Sequence, residues 1–283
     1  MTDEKGTKPW QRELTVVGSE RKPDSEKALA ARGPASSALI EQEKGISFVR
    51  FVPRPPFDAR LVFTDQDTKR AAAFRLLRQR LIDRRDVHTV LCTSAHAGEG
   101  KTTLAANLAL ALSESSKYRV LLLEANLRNA ALANLFGFDP PKGLRTQIIR
   151  HRTNPDDPWV VIQIGPPPLY ILAAERRACS RCATPLPDEA RFCGKCGAPN
   201  TGTVAFLDAA GFADAIQRLR QVFDYIIIDA PPVLAGGDVN LIQDSADAVV
   251  MAVRKGRSDE RSLRRAVDQI SPTPLAAVTM FED

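Results

Sequence analysis

Apolar positions along this chain follow two rhythms. Continuous runs occupy His88–Thr93, Tyr118–Glu124, Tyr225–Asp229 and Ala246–Arg254, with shorter ones at Trp159–Ile164, Leu169–Leu172 and Leu275–Met280. A run without polar alternation is how a strand buried on both faces reads, as in a parallel sheet covered by helices. Between these runs the spacing turns helical. Phe74, Leu77, Leu81 and Ile82 share one face of 71–82, with Thr64 or Asp65 placed to cap it. Leu104–Leu112 is helical throughout, and 206–223 carries Phe212, Ala215, Ile216 and Leu219 on one face. Further helices are predicted at 130–136, 144–149 and 258–270. Strands alternating with helices predict an α/β fold, a parallel sheet flanked by helices of the P-loop NTPase kind, over residues 59–283. Residues 1–58 are rich in Lys, Glu, Arg, Ser and Pro and show little periodicity. They are expected to be a disordered tail, because they bury too little apolar area to offset their ordering entropy. Only 47–52 hints at a strand there.

The turn between the first long run and its helix carries the chemistry. It reads Ser94-Ala95-His96-Ala97-Gly98-Glu99-Gly100-Lys101-Thr102-Thr103. Strand, glycine-bearing loop and helix start make a phosphate cradle, in which backbone N–H groups and a helix N-terminus face an anion. Residues Ala97 to Thr103 are therefore the expected cofactor-binding stretch. Lys101 would reach the β- and γ-phosphates of ATP, and the Thr102 hydroxyl would sit on Mg²⁺. Ala95 stands where the usual pattern has its first glycine; the plain alternative is a glycine turn with an incidental lysine. Ligands in such sheets bind at the carboxyl ends of strands, where Ser94, Glu124 and Asp229 all fall. Asp229, followed by Ala230-Pro231-Pro232, ends an aliphatic run, and a strand-terminal aspartate in a phosphate-loop protein holds Mg²⁺ directly or through water.

Composition narrows the classes. Of 283 residues 44% are hydrophobic and 26% charged, ordinary for a globular chain. The net charge of +5 suits an anionic ligand or a membrane face and is too small to argue for nucleic acid. No apolar run reaches membrane-spanning length and the N-terminus lacks a signal core, so a cytoplasmic protein is expected, with reduced thiols. The five cysteines then point to metal or solitary thiols rather than disulfides. Cys179-Ser-Arg-Cys182 and Cys193-Gly-Lys-Cys196 are two C-x-x-C pairs separated by ten residues, and four sulfurs in tetrahedral array suit Zn²⁺. A zinc-ribbon insertion is expected at 175–202, with Cys92 separate and buried.

The three nucleotide motifs resemble those of the bacterial tyrosine kinases of capsule and exopolysaccharide synthesis, over about 63–283 with one insertion. The family's first motif resembles S-x-x-P-G-E-G-K-[ST], and 94–102 is similar except for Ala97. Its second, a strand followed by D-A-D-L-R, is here Glu124-Ala125-Asn126-Leu127-Arg128. Its third, D-x-P-P, is matched at Asp229–Pro232. The resemblance implies phosphoryl transfer from Mg·ATP, with Lys101, Glu124 and Asp229 catalytic, Arg128 at the nucleotide, and Glu124 the surviving candidate base. It also implies a membrane-bound chain-length or polysaccharide-export partner, recruitment to the inner face of the membrane, and a homo-oligomer. Three departures bear on this. Asn126 replaces an acid, Ala72 replaces the acid of an assembly motif that retains Arg75 and Arg78, and the chain's three tyrosines (Tyr118, Tyr170, Tyr225) form no tail cluster. Two other readings stay open: a catalytically weak regulator of the same export machinery, and a partition-type ATPase whose ribbon contacts cargo or DNA. His96, at the place of the partition family's lysine, is assigned no catalytic task.

Overall fold

A computed structural model of the chain describes residues 14–17, 37–53, 58–61, 68–175, 181–182, 184, 186, 190–199 and 208–282. Among these residues ten strands lie in one sheet: β1 (Leu14–Val17), β2 (Ser37–Glu43), β3 (Ile46–Phe51), β4 (Thr89–Ser94), β5 (Val120–Glu124), β6 (Trp159–Ile164), β7 (Leu169–Leu172), β8 (Tyr225–Asp229), β9 (Ala248–Arg254) and β10 (Leu275–Phe281). Their order is β1-β10-β9-β4-β8-β5-β7-β6-β3-β2. The helices are α1 (Lys69–Ile82), α2 (Lys101–Ser113), α3 (Leu132–Phe136), α4 (Leu144–Thr153), α5 (Ala209–Leu219) and α6 (Glu260–Ile270).

The expected α/β architecture is present. β4, β5 and β8 are buried along their whole length, as their unbroken aliphatic runs predict. Side chains alternate between two apolar layers. Val120, Leu122 and Ile227 join Phe74, Leu77 and the buried face of α2, while Leu121, Leu123, Ile226 and Ile228 join Phe212, Ile216 and Ala266 of α5 and α6. α2 is buried almost throughout, between the sheet and α1, which accounts for its lack of a polar face.

Three details differ from the sequence pattern. The sheet is mostly parallel but mixed: β6 pairs antiparallel with β7, and β2 with β3. Gly165, at φ +85, turns the β6–β7 hairpin, and a Cβ there would come 2.3 Å from the Pro167 carbonyl oxygen. The expected disordered tail contributes strands: β3 pairs in parallel with β6 over Ile46–Arg50, and Ile46, Phe48 and Phe51 are core residues. The 47–52 hint understated this pairing because a strand partner more than a hundred residues away leaves no local signal. α1 is capped by Thr68, whose hydroxyl accepts the Ala71 N–H at 3.1 Å; Thr64 and Asp65 lie outside the described residues.

Candidate nucleotide and metal site

The strand order places the chemistry at the carboxyl ends of the central strands. β4 lies between β8 and β9, and β5 flanks β8, so the loop after β4, Asp229 and Glu124 meet at neighbouring carboxyl ends. Glu124 and Asp229 are direct register partners. Two further bonds draw the motifs together, since the Ala125 and Asn126 N–H groups donate to the Asp229 carbonyl at 2.9 and 3.1 Å.

The loop from Ala95 to Gly100 turns through two glycines at positive φ, Gly98 at +83 and Gly100 at +95. Gly100 starts α2 directly against the C-terminal strand: a Cβ there would meet the Phe281 ring at 3.0 Å. Glu99, 2% exposed, braces the loop from within. One of its oxygens accepts the His96 N–H at 2.8 Å and the other the Ser258 hydroxyl at 2.5 Å. Arg254 donates to the Gly98 carbonyl at 3.2 Å. Ser258 and Arg254 carry no motif signal, because they reach the loop from the end of β9 and the turn after it.

Lys101 is buried at the start of α2, and the neighbouring Thr102 hydroxyl donates to Asp229 Oδ2 at 2.8 Å. Asp229 is fully buried, and its Oδ1 has no hydrogen-bond partner. An ionisable oxygen left unpartnered in the interior is costly unless something else fills its lone pairs. Burial raises the Asp229 carboxyl to about 6, against the opposing pull of Lys101 and Thr102. A hydroxyl and a strand-end carboxylate converging beside a phosphate loop form the oxygen donor set Mg²⁺ takes, so the residues fit that ion.

The second motif is differently employed. Glu124 is fully buried, and its carboxylate accepts three backbone N–H groups: Ala131 and Leu132 (2.8 Å) on Oε1, and Ala174 (2.9 Å) on Oε2. Burial and the neighbouring Asp229 raise it to about 7, against those three bonds. Asn126 is buried and donates to the Asn129 carbonyl at 3.2 Å. Arg128, expected at the nucleotide, forms an ion pair with Asp238 at 2.8 Å. On α1, Arg75 and Arg78 both pair with Glu114 at the end of α2, so the two arginines of the assembly motif hold helices of the same chain together.

In the insertion, the sulfurs of Cys182, Cys193 and Cys196 lie within 4.8 Å of one another, with Cys182 and Cys193 at 3.6 Å. Tetrahedral Zn–S bonds of about 2.3 Å set sulfurs about 3.8 Å apart. Gly197, at φ +65, turns the second knuckle, with its N–H on the Cys193 carbonyl and the Cys193 N–H on Ala198. Hydrogen bonding with Thr184 lowers the Cys182 thiol to about 6, toward the thiolate a metal requires. The residues fit zinc. Cys179 lies outside the described residues.

Fold and loop together define an α/β domain with the P-loop NTPase architecture. Residues 179–200 match the zinc-ribbon domain family. The chain is 26% identical to the tyrosine-protein kinase CpsD of Streptococcus pneumoniae serotype 4 over 182 residues, 64% of this chain and 69% of CpsD. The chimerical protein CapA2B2 superposes with a TM-score of 0.60 at 22% identity, covering 81% of this chain and 92% of that one. The kinase domain of Escherichia coli tyrosine kinase ETK superposes at 0.59 with 18% identity, covering 81% and 82%. The chain is thus similar to the bacterial tyrosine kinases that its three motifs resemble. No helix among the described residues is long and apolar enough to cross a membrane.

Proposed function

We propose that the chain binds Mg·ATP and transfers its terminal phosphate in the manner of the tyrosine kinases of capsule and exopolysaccharide synthesis. One observation carries the reading: Thr102 and the unpartnered Oδ1 of Asp229 converge beside Lys101 at the mouth of the loop. Thr102 and Asp229 would hold Mg²⁺, which would supply neutralisation of phosphate charge. The loop N–H groups and Lys101 bind and orient the phosphates, and Thr102 fixes one oxygen of Asp229. Phosphoryl transfer depends chiefly on positioning and charge neutralisation, so a site with Asn126 in place of an acid retains the main parts and loses rate. Glu124 is the candidate base: its three backbone donors leave one Oε2 lone pair for the proton of an acceptor hydroxyl.

The acceptor is an external tyrosine, because Tyr118, Tyr170 and Tyr225 lie in or beside strands of the sheet. The resemblance supports a membrane chain-length or export protein as partner and a working place at the inner membrane face. Purified chain is incubated with Mg·ATP and a tyrosine-containing acceptor, with and without the cytoplasmic segment of such a partner. Phosphotyrosine that disappears in Lys101→Ala supports the proposal; absence of phosphotyrosine under every partner condition overturns it.

A further inference from the structure

The phosphate loop is met from two sides. β4 lies between β8 and β9, so Asp229 reaches the loop from one neighbouring strand end and the turn after β9 reaches it from the other. That turn reads Arg254-Lys255-Gly256-Arg257-Ser258. It is tightly wound: the Arg257 and Ser258 N–H groups both donate to the Arg254 carbonyl, at 3.1 and 2.9 Å, and Gly256 turns at φ +77. Arg254 and Ser258 put their side chains on the loop itself, at the Gly98 carbonyl and on Glu99. Arg257 reaches the same glycine, its Nη1 lying 3.2 Å from where a Cβ on Gly98 would stand. Gly98 thereby leaves room for a guanidinium at the place where a side chain would project.

The acids of this corner are already engaged. Glu99 accepts the His96 N–H and the Ser258 hydroxyl, Asp259 accepts the Ser262 N–H at the start of α6, Glu260 pairs with Arg264, and Glu282 pairs with Lys255. The Arg257 guanidinium is exposed and makes no hydrogen bond or ion pair among the described residues. A guanidinium carries five N–H donors in a planar fork, the geometry that takes phosphate oxygens two at a time. A cation with its donors unused is therefore held against the phosphate loop on the β9 side, while Thr102 and Asp229 meet on the β8 side.

We propose that Arg257 is a phosphate-binding residue of this site, a second cation beside Lys101 that grips the phosphate chain of the nucleotide from the β9 side. Naming the ligand a nucleotide rests on the Mg·ATP reading above; the contact with a polyphosphate anion does not. Because the oxygens that fit Mg²⁺ stand on the β8 side, Arg257 contributes equally with and without the metal.

Full-length wild type, Arg257→Ala and Arg257→Lys are titrated with ATP and with inorganic tripolyphosphate, each with and without magnesium, and their thermal unfolding is followed without ligand. Arg257→Ala is expected to bind both probes about tenfold more weakly, with the wild-type ratio of affinities with and without magnesium. It should unfold at the wild-type temperature, because the guanidinium holds nothing within the chain. Arg257→Lys keeps the charge and loses the fork, so it should recover part of the loss. Weaker binding accompanied by a lowered unfolding temperature and no rescue by lysine marks a bracing role and overturns the proposal. Equal affinity of Arg257→Ala and wild type, for whichever probe wild type binds, overturns it as well. A loss with ATP but not with tripolyphosphate puts the contact at the base and overturns the phosphate assignment. If wild type binds tripolyphosphate and not ATP, the Mg·ATP reading fails while the tripolyphosphate comparison still judges Arg257; if it binds neither, both fail.

Discussion

Replacing Asp229 by Asn tests the claim that the site keeps a buried charge for a metal at the expense of stability. Burial raises the carboxyl from 3.8 to about 6. Each pH unit is worth about 1.4 kcal/mol, so holding this group ionised at pH 8 costs the metal-free fold about 3 kcal/mol. The sign follows from proton binding. With a raised native value, the folded state holds more protons between about pH 4 and 6, so stability falls as pH rises through that window and is flat above it. Asn keeps an acceptor for the Thr102 hydroxyl, removes the charge, and also relieves Glu124, which Asp229 helps push up to about 7. Asp229→Asn should therefore be more stable than wild type by about 3 kcal/mol at pH 8 in magnesium-free buffer, and by almost nothing at pH 4. For a domain of this size that corresponds to roughly 5 to 10 °C. Mg²⁺-dependent nucleotide binding should be lost in the same variant. The assay is urea or thermal unfolding at both pH values with zinc retained, beside nucleotide titration with and without magnesium. A variant destabilised equally at pH 4 and pH 8, or one whose nucleotide binding still needs magnesium, refutes the reasoning.

Other outcomes follow from the loop. Gly100→Ala places a Cβ against Phe281 at a φ that disfavours side chains, so it should cost about 1–2 kcal/mol and weaken Mg·ATP binding at least tenfold, as read by unfolding and titration. Ser258→Ala removes one of the two groups that hold Glu99, and should weaken nucleotide binding several-fold while Ser258→Thr restores it; equal affinity in Ser258→Ala contradicts the bracing role. Arg75→Ala and Arg78→Ala together leave Glu114 without its α1 partners, and calorimetry should show a loss of about 1 kcal/mol.

Much of this was readable in advance where the signal is local. β4, β5 and β8 are aliphatic runs buried on both faces, and Lys101, Thr102 and Asp229 stand at the strand ends where a parallel sheet must put its ligands. The zinc knuckles announce themselves by spacing. What escaped is non-local. That β3 joins β6, that Ser258 reaches Glu99, and that Glu124 reaches Ala174 depend on which strand ends the topology makes neighbours, and no spacing in the chain encodes it. Glu124 is the plainest instance: in sequence an acid at the place of an aspartate, in the fold a buried acceptor of three backbone bonds. Arg128 likewise sits in a nucleotide motif and pairs with Asp238, which approaches from the loop after β8.

The most direct test of the central claim is calorimetric titration of the zinc-loaded full chain with ATP, in the presence and absence of magnesium, for wild type and Lys101→Ala. The account predicts saturable binding that strengthens with magnesium and disappears in the variant. Absence of binding, or equal binding by Lys101→Ala, contradicts it.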